Sequence, residues 1–131
     1  MEMTIVIDTN AYSAMKAGDA EVKTILEENE HIIVPIIVIG ELLSGFQQGN
    51  RFNRNSTELD SFLRQPGITV CKIGFAEADR YASLIKALKK AGTPVPTNDV
   101  WISAIALGCG GRLLTRDAHF DKIPGVVPIS W

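Results

Sequence analysis

The chain has 131 residues, of which 46% are hydrophobic and 21% are charged. This composition excludes intrinsic disorder, and the length suits one domain with a full core, residues 1–131. Because 13 basic and 15 acidic residues give a formal net charge of −2, the chain as a whole is not a basic nucleic-acid-binding protein. A polyanionic partner must therefore be met by a local patch or by metal ions.

Nothing at the start of the chain indicates export. Residues 1–4 contain no basic segment that leads into a long apolar one, and the longest apolar run, residues 32–40, is too short to span a bilayer. Cys71 and Cys109 lack the spacing of a metal or redox motif, so we predict that both are buried thiols in a reducing compartment. We expect a cytoplasmic protein with no membrane association.

In the first half of the chain, β-branched apolar runs alternate with stretches of helical periodicity. Thr4–Ile7 is predicted as a central strand and His31–Val34 as a second one. Gly18 separates two short helices between them, and Asp19 caps the second. Pro35 suits the start of the next helix, because a missing N–H costs nothing there. The remaining predictions for this half are the end of that helix near residue 46, a polar loop over 47–55 and a helix over 57–63.

The second half repeats the alternation. Apolar residues at helical spacing predict a helix over Phe75–Lys90. Another helix is expected to begin at Asn98–Asp99, whose side chains can cap it, and to end at the glycines of residues 108–111. We also predict a strand over 68–70, a buried strand over 113–115, a short turn or helix over 118–122, and an edge strand over 126–129, since Pro128 lacks a ladder donor. The alternation predicts a three-layer α/β/α domain with a mainly parallel sheet.

Four acidic residues are notable for their positions. Asp8 and Asp117 follow predicted strands, Asp99 opens a helix, and Glu41 interrupts an apolar stretch. Each Asp can be explained as a helix cap, and Glu41 as a solvent-facing residue. If the four converge, their mutual repulsion requires a cation, and oxygen-only ligands suit Mg²⁺ or Mn²⁺.

Polar residues accompany these carboxylates. Thr9, Asn10, Asn98 and Thr115 can orient them, or can serve only local turns and caps. His119 lies two residues after Asp117, and we assign it a solvent or cap role rather than a catalytic one. The candidate cations for an RNA rim are Arg112 and Arg116, with His119 beside them, and further Arg51, Arg54, Lys122, Lys86, Lys89 and Lys90; a solvated surface explains each of these as well.

Four segments together resemble the PIN-domain family, and within it the VapC-type toxins of toxin–antitoxin modules. They are residues 7–10 (IDTN), 41–45 (ELLSG), 96–104 (PTNDVWISA) and 114–120 (LTRDAHF). Their order and spacing match across the whole chain. Ser103 stands where alanine is more usual, and Asp121 adds a carboxylate to which we assign no role.

The resemblance implies a PIN fold and a Mg²⁺- or Mn²⁺-dependent endoribonuclease. It implies a homodimer inhibited by a cognate antitoxin, whose C-terminal segment covers the active-site groove. It carries an acidic quartet onto Asp8, Glu41, Asp99 and Asp117, with Thr115 and Asn10 as supporting polar groups. On this basis we expect metal-assisted hydrolysis of an RNA phosphodiester, with the three aspartates as metal ligands and Glu41 as a ligand or as the group that positions the attacking water.

Two alternatives stay open from the residues alone. The first is a receiver-like, phospho-accepting domain, for which Asp8 lacks an acidic neighbour and residues 71–72 replace the accepting aspartate. The second is a catalytically inactive binding domain, which no residue in the sequence excludes. Phosphate-cradling loops and the serine-hydrolase elbow are missing from the sequence.

Overall fold

The structure is a computed structural model, and it describes residues 3–131. In this part of the chain five strands form one sheet in which every pairing is parallel. The strands are β1 (Thr4–Ile7), β2 (His31–Pro35), β3 (Ile68–Cys71), β4 (Arg112–Leu114) and β5 (Pro128–Ile129). Their order is β3-β2-β1-β4-β5, which confirms the predicted central position of the first strand and the edge position of the last.

Six α-helices of the described chain connect the strands. They are α1 (Thr9–Lys16), α2 (Ala20–Glu27), α3 (Ile36–Gln48), α4 (Phe52–Leu63), α5 (Phe75–Ala91) and α6 (Thr97–Cys109), and a 3₁₀ helix spans Ala118–Lys122. Parallel strands joined by right-handed crossovers place α1 to α4 on one face of the sheet and α5 with α6 on the other. The contacts of α1 with α2 and α3, of α3 with α4, and of α5 with α6 agree with the predicted three-layer arrangement.

The core lies on both faces of β1. Ile5, Val6 and Ile7 have no exposed surface, and Leu113 and Leu114 of the neighbouring strand are equally buried. A strand covered on both faces is apolar throughout rather than alternating. Helix α6 is also buried on most sides, which explains why its sequence has almost no polar face.

Three predictions from the sequence were wrong in detail. The predicted loop over 47–55 is only the connection 49–51, because its polar residues lie on the exposed sides of α3 and α4. Helix α6 begins at Thr97 after Pro96, so Asp99 is its third residue and not its cap. The cysteines are not both buried: Cys109 ends α6 and is exposed, whereas Cys71 ends an edge strand and is half-buried, and neither is paired.

The order of the strands defines where a ligand can enter. From β1 the chain proceeds through β2 to β3, and then returns across the sheet to β4 on the other side of β1. At such a reversal the helices leave β1 and β4 toward opposite faces, and a crevice opens at their carboxyl ends. Asp8 and Thr115 directly follow these two strands.

In residues 3–131, every helix is too short or too polar to cross a membrane.

The turn before β3 depends on Gly67. Its φ is +82°, and a Cβ on this residue would lie 2.1 Å from the carbonyl oxygen of Glu30. We expect Gly67→Ala to lower the free energy of unfolding by at least about 2 kcal/mol, since backbone strain and a clash add together. Gly92→Ala is the matched control: its φ is +69° but the space is open, so strain alone should cost about 1 kcal/mol. Urea denaturation followed by circular dichroism measures both, and equal losses would contradict the clash.

Candidate active site

Asp8 anchors the site at the end of β1. Its Oδ1 accepts a hydrogen bond of 2.8 Å from the backbone N–H of Ala11, which confirms the interpretation of Asp8 as the cap of α1. Its Oδ2 accepts a second hydrogen bond, of 2.5 Å, from the hydroxyl of Thr115 after β4. Asp8 as a whole is only 5% exposed. Asp8 therefore joins the two strands at the crevice and has a fixed orientation.

Thr115 connects Asp8 with Asp117. Its Oγ1 donates to Asp8 and accepts a hydrogen bond of 2.9 Å from the backbone N–H of Asp117. The Asp117 carboxylate in turn caps the 3₁₀ helix, because its Oδ1 accepts from the backbone N–H of His119 at 2.9 Å. One hydroxyl thus sets the position of two carboxylates relative to each other.

Asp99 reaches the same place from the opposite face of the sheet. Its Oδ2 lies 3.3 Å from Nδ1 of His119, and the same nitrogen lies 3.0 Å from Oδ1 of Asp117. The Asp99 side chain makes no cap for α6, and it is only 15% exposed. The sequence assigned His119 to solvent or to a cap, whereas its ring lies between two carboxylates. The spacing Asp-x-His could have indicated this position. A capping Asp accepts a hydrogen bond from the backbone N–H two residues later, which brings the side chain of that residue near the carboxylate.

Glu41 is held at the edge of this cluster by two polar residues. The hydroxyl of Thr9 donates to its Oε1 at 2.8 Å, and the side-chain amide of Asn98 donates to its Oε2 at 3.4 Å. Both donors are neighbours in sequence of an aspartate in the cluster, Asp8 and Asp99. Asn10 lies in the first turn of α1 and is exposed.

The charges of the four carboxylates act on one another. Burial raises the pKa of Asp8, hydrogen bonds from Thr115 and Ala11 oppose this, and repulsion by Asp117 and Asp99 adds to it. Burial also raises the pKa of Asp99; Asp117 and Glu41 repel its charge, and His119 partly compensates. Without a cation, the folded protein therefore disfavours ionisation of these two groups.

The cluster has the donor set of a divalent-metal site. Asp99, Asp117 and His119 each offer one ligand atom, and these atoms lie within 4.8 Å of one another. Carboxylate oxygens suit hard cations, and a bound cation would relieve the repulsion that raises both aspartate pKa values. The residues present therefore fit a divalent ion.

The candidate rim cations occupy different places. Arg112 begins β4, at the amino ends of the strands, and its Nη1 contacts Sδ of Met3 at 3.5 Å. It therefore lies at the opposite end of the strands from Asp8. Arg116 lies just past the carboxyl end of β4. Its guanidinium is 4.8 Å from the ring centre of Trp131, and its Nε donates to the carbonyl oxygen of Trp131 at 3.2 Å. Only Arg116 of this pair is on the side of the acidic cluster.

Comparisons with known proteins agree with this geometry. Residues 5–126 match the family model of the PIN domain. The ribonuclease VapC1 of Rickettsia felis is 31% identical over 95% of this chain and 93% of its own length. The ribonuclease VapC4 of Mycobacterium tuberculosis is 29% identical over 74% of this chain and 75% of its own length.

Among solved structures, VapBC2 of Rickettsia felis bound to a DNA fragment from its promoter covers 98% of this chain and 99% of that one, with a TM-score of 0.89 and 23% identity. The fold is therefore that of a PIN domain. The chain belongs to the PIN-domain family, and within it to the VapC ribonucleases. This confirms the resemblance read from the four sequence segments. The receiver-like alternative is wrong, because such domains have the strand order 2-1-3-4-5.

Proposed function

We propose that the chain is a divalent-metal-dependent endoribonuclease that acts as the toxin of a toxin–antitoxin pair. One observation carries this proposal: carboxylates from four separate segments converge at the carboxyl ends of β1 and β4, and hydrogen bonds orient them toward one another. Asp8, Asp99 and Asp117 are close enough for their charges to repel one another, which is unfavourable in a purely structural role. The ribonuclease names of the relatives support the assignment of RNA as substrate.

In the proposed mechanism Asp8, Asp99 and Asp117 hold one or two Mg²⁺ or Mn²⁺ ions. When bound, such an ion polarises the phosphodiester, lowers the pKa of a water molecule and stabilises the leaving oxygen. Asp8 has a fixed orientation because its two oxygens accept from Ala11 and Thr115. Glu41, oriented by Thr9, binds metal or positions the attacking water on the far side of the phosphate from the leaving group. The products are a 5′-phosphate and a 3′-hydroxyl.

The surroundings of Glu41 leave room for a polymer. An open groove runs from Glu41 along one side of α3, and its lining includes Ile36, Gly40, Ser44 and Asn98. Arg116, with its side chain 57% exposed, is the cation that we assign to phosphate contact beside the cluster. An RNA strand in this groove would therefore pass Glu41 without entering a closed pocket.

We further propose a cognate antitoxin, a homodimer and a cytoplasmic location. Several of the solved structures similar in fold are VapBC structures, such as VapBC2 of Rickettsia felis and VapBC of Salmonella typhimurium, and another is a toxin–antitoxin complex of Klebsiella pneumoniae, which supports the antitoxin. The homodimer and the location rest on the family resemblance. Light scattering of the purified chain tests the dimer.

The decisive experiment is cleavage of a mixed RNA pool by the purified protein with Mg²⁺, with Mn²⁺ and with EDTA. The matched control is Asp117→Asn, purified identically, because asparagine keeps the helix cap but removes the charge. We expect metal-dependent cleavage by the wild type that is lost in the variant. Equal cleavage by both proteins would indicate a contaminating nuclease. No cleavage of a pool that contains total cellular RNA, at high enzyme concentration, would favour an inactive binding domain.

A smaller effect is expected from the support of Glu41. Thr9→Val removes the 2.8 Å hydrogen bond to Oε1 and leaves the longer one from Asn98. Loss of an orienting hydrogen bond should slow RNA cleavage about tenfold, whereas Thr9→Ser, which keeps the hydroxyl, should stay close to wild type. Initial rates at saturating metal measure this. If the valine and serine variants are equally slow, the hydroxyl is not what matters.

A further inference from the structure

The position of His119 points to a role that neither the family match nor the relatives assign to it. Its Nδ1 is 3.0 Å from Oδ1 of Asp117 and 3.3 Å from Oδ2 of Asp99. We propose that Nδ1 of His119 is a direct ligand of the divalent ion, together with Asp99 and Asp117, and that this nitrogen makes the site prefer Mn²⁺ to Mg²⁺. The inference rests on the proposed metal site, and it adds a nitrogen donor to a set otherwise made of oxygen.

The distances suit this role. Ligands at about 2.1 Å in adjacent positions of an octahedral ion are about 3 Å apart. The spacing of Nδ1 from each carboxylate oxygen is close to this value, and the three ligand atoms all lie within 4.8 Å of one another. Side-chain rotation that brings the two carboxylate oxygens together would let one ion contact all three. In the metal-bound form the ring is neutral and its proton is on Nε2, so that the lone pair of Nδ1 is free for the ion.

The backbone favours this orientation of the ring. The N–H of His119 donates to the Asp117 carboxylate, which sets the first turn of the 3₁₀ helix. The next residue, Phe120, is 1% exposed and fixes that turn in the core. The ring of His119 is 46% exposed, so water or substrate can complete the coordination from the open side.

The chemistry of the donors gives the selectivity. Carboxylates and water suit Mg²⁺ and Mn²⁺ alike, whereas an imidazole nitrogen is bound more readily by first-row transition ions than by Mg²⁺. A set of two carboxylates and one imidazole should therefore favour Mn²⁺ over Mg²⁺ more strongly than a set of carboxylates alone. Removal of the imidazole should weaken Mn²⁺ binding much more than Mg²⁺ binding.

The test is pulsed electron paramagnetic resonance of bound Mn²⁺, which detects a directly coordinated ¹⁴N. The chain has two histidines, so one variant of each assigns the signal. His119→Asn removes the imidazole from the cluster. His31→Asn is the matched control, because His31 begins β2 at the amino ends of the strands, away from the cluster. The purified proteins must carry no histidine tag. We expect ¹⁴N coupling in the wild type and in His31→Asn, and its loss in His119→Asn.

Metal affinity gives a second readout. In His119→Asn, the Mn²⁺ dissociation constant should rise at least about tenfold and that of Mg²⁺ less than about threefold, by competition titration. The inference is overturned if the wild type shows no nitrogen coupling, or if the coupling survives in His119→Asn. Failure of this inference can be told apart from failure of the proposed function. RNA cleavage without nitrogen coupling would support the ribonuclease and refute His119 as a ligand. Nitrogen coupling without RNA cleavage would support His119 as a ligand and refute the ribonuclease.

Discussion

Asp99→Asn is expected to slow metal-dependent RNA cleavage by at least about 10³-fold, which corresponds to about 4 kcal/mol of transition-state stabilisation. The carboxylate lies beside Asp117 and His119, and the amide keeps its size but brings no charge to a cation. In the proposed site Asp99 would help hold an ion that activates water and stabilises the developing charge on phosphate, so the loss should appear mainly in kcat. Single-turnover cleavage of a fixed RNA measures it.

The same variant should be more stable than the wild type when metal is absent. Burial and repulsion by Asp117 raise the pKa of Asp99, so the folded state binds the proton more tightly than the unfolded state does. Stability from this group is therefore full below its ordinary pKa and is lost as the pH rises through the raised value. In EDTA at neutral pH, Asp99→Asn should have the higher Tm, and the difference should vanish in acid.

Added Mn²⁺ should reverse this order, because a ligand that binds only the folded wild type raises its Tm. The matched control is Asp121→Asn, which removes one charge from an exposed residue of the adjacent 3₁₀ helix. It should leave the rate and the metal response unchanged. An Asp99→Asn protein that cleaves at the wild-type rate would refute the assignment. One with a lower Tm in EDTA would show that the carboxylate stabilises the fold.

The sequence allowed the architecture to be predicted because local and long-range signals agreed. Ile5, Val6 and Ile7 of β1 are all apolar because both faces of this strand are covered. Gly92 and Gly110 end α5 and α6 in the left-handed conformation, which a glycine adopts without strain. The loop over 47–55 failed because polar residues on the outer side of a helix look the same as polar residues in a loop. Solvent exposure, not local conformation, determined that composition.

The site was only partly predictable for a related reason. Asp8 and Asp117 follow strands, so their place at the carboxyl edge follows from the direction of a parallel sheet. From the sequence, a helix cap and a place in the cluster were alternative explanations for each residue. In the structure each one is both a cap and a member of the cluster. The contacts of His119 were missed because a single sequence does not tell which side of a short 3₁₀ helix faces a neighbour. Arg112 precedes the predicted strand, so the direction of the strand would have placed it at the amino end, away from the cluster.

Thr115→Val is the sharpest test of how the cluster is held together. Valine has nearly the shape of threonine but lacks the hydroxyl that donates to Asp8 and accepts from the N–H of Asp117. The hydrogen bond to Asp8 is buried and the one with Asp117 is partly buried, so their loss should cost about 1–3 kcal/mol of unfolding free energy. The hydrogen bond from Thr115 lowers the pKa of Asp8, so its loss raises that pKa further.

RNA cleavage by Thr115→Val should fall about 10- to 100-fold, as is usual when a group that orients a metal ligand is removed. The matched control, Thr115→Ser, keeps the hydroxyl and loses a buried methyl, which should cost about 1 kcal/mol with a rate close to wild type. Urea denaturation measures the loss of stability and single-turnover cleavage measures the loss of rate. The comparison of valine with serine shows which of the two depends on the hydroxyl. If both variants lose stability but both still cleave as the wild type does, Thr115 only packs the crevice. If only the valine variant is slow, one hydroxyl between β1 and β4 keeps two carboxylates in the geometry that the ion requires.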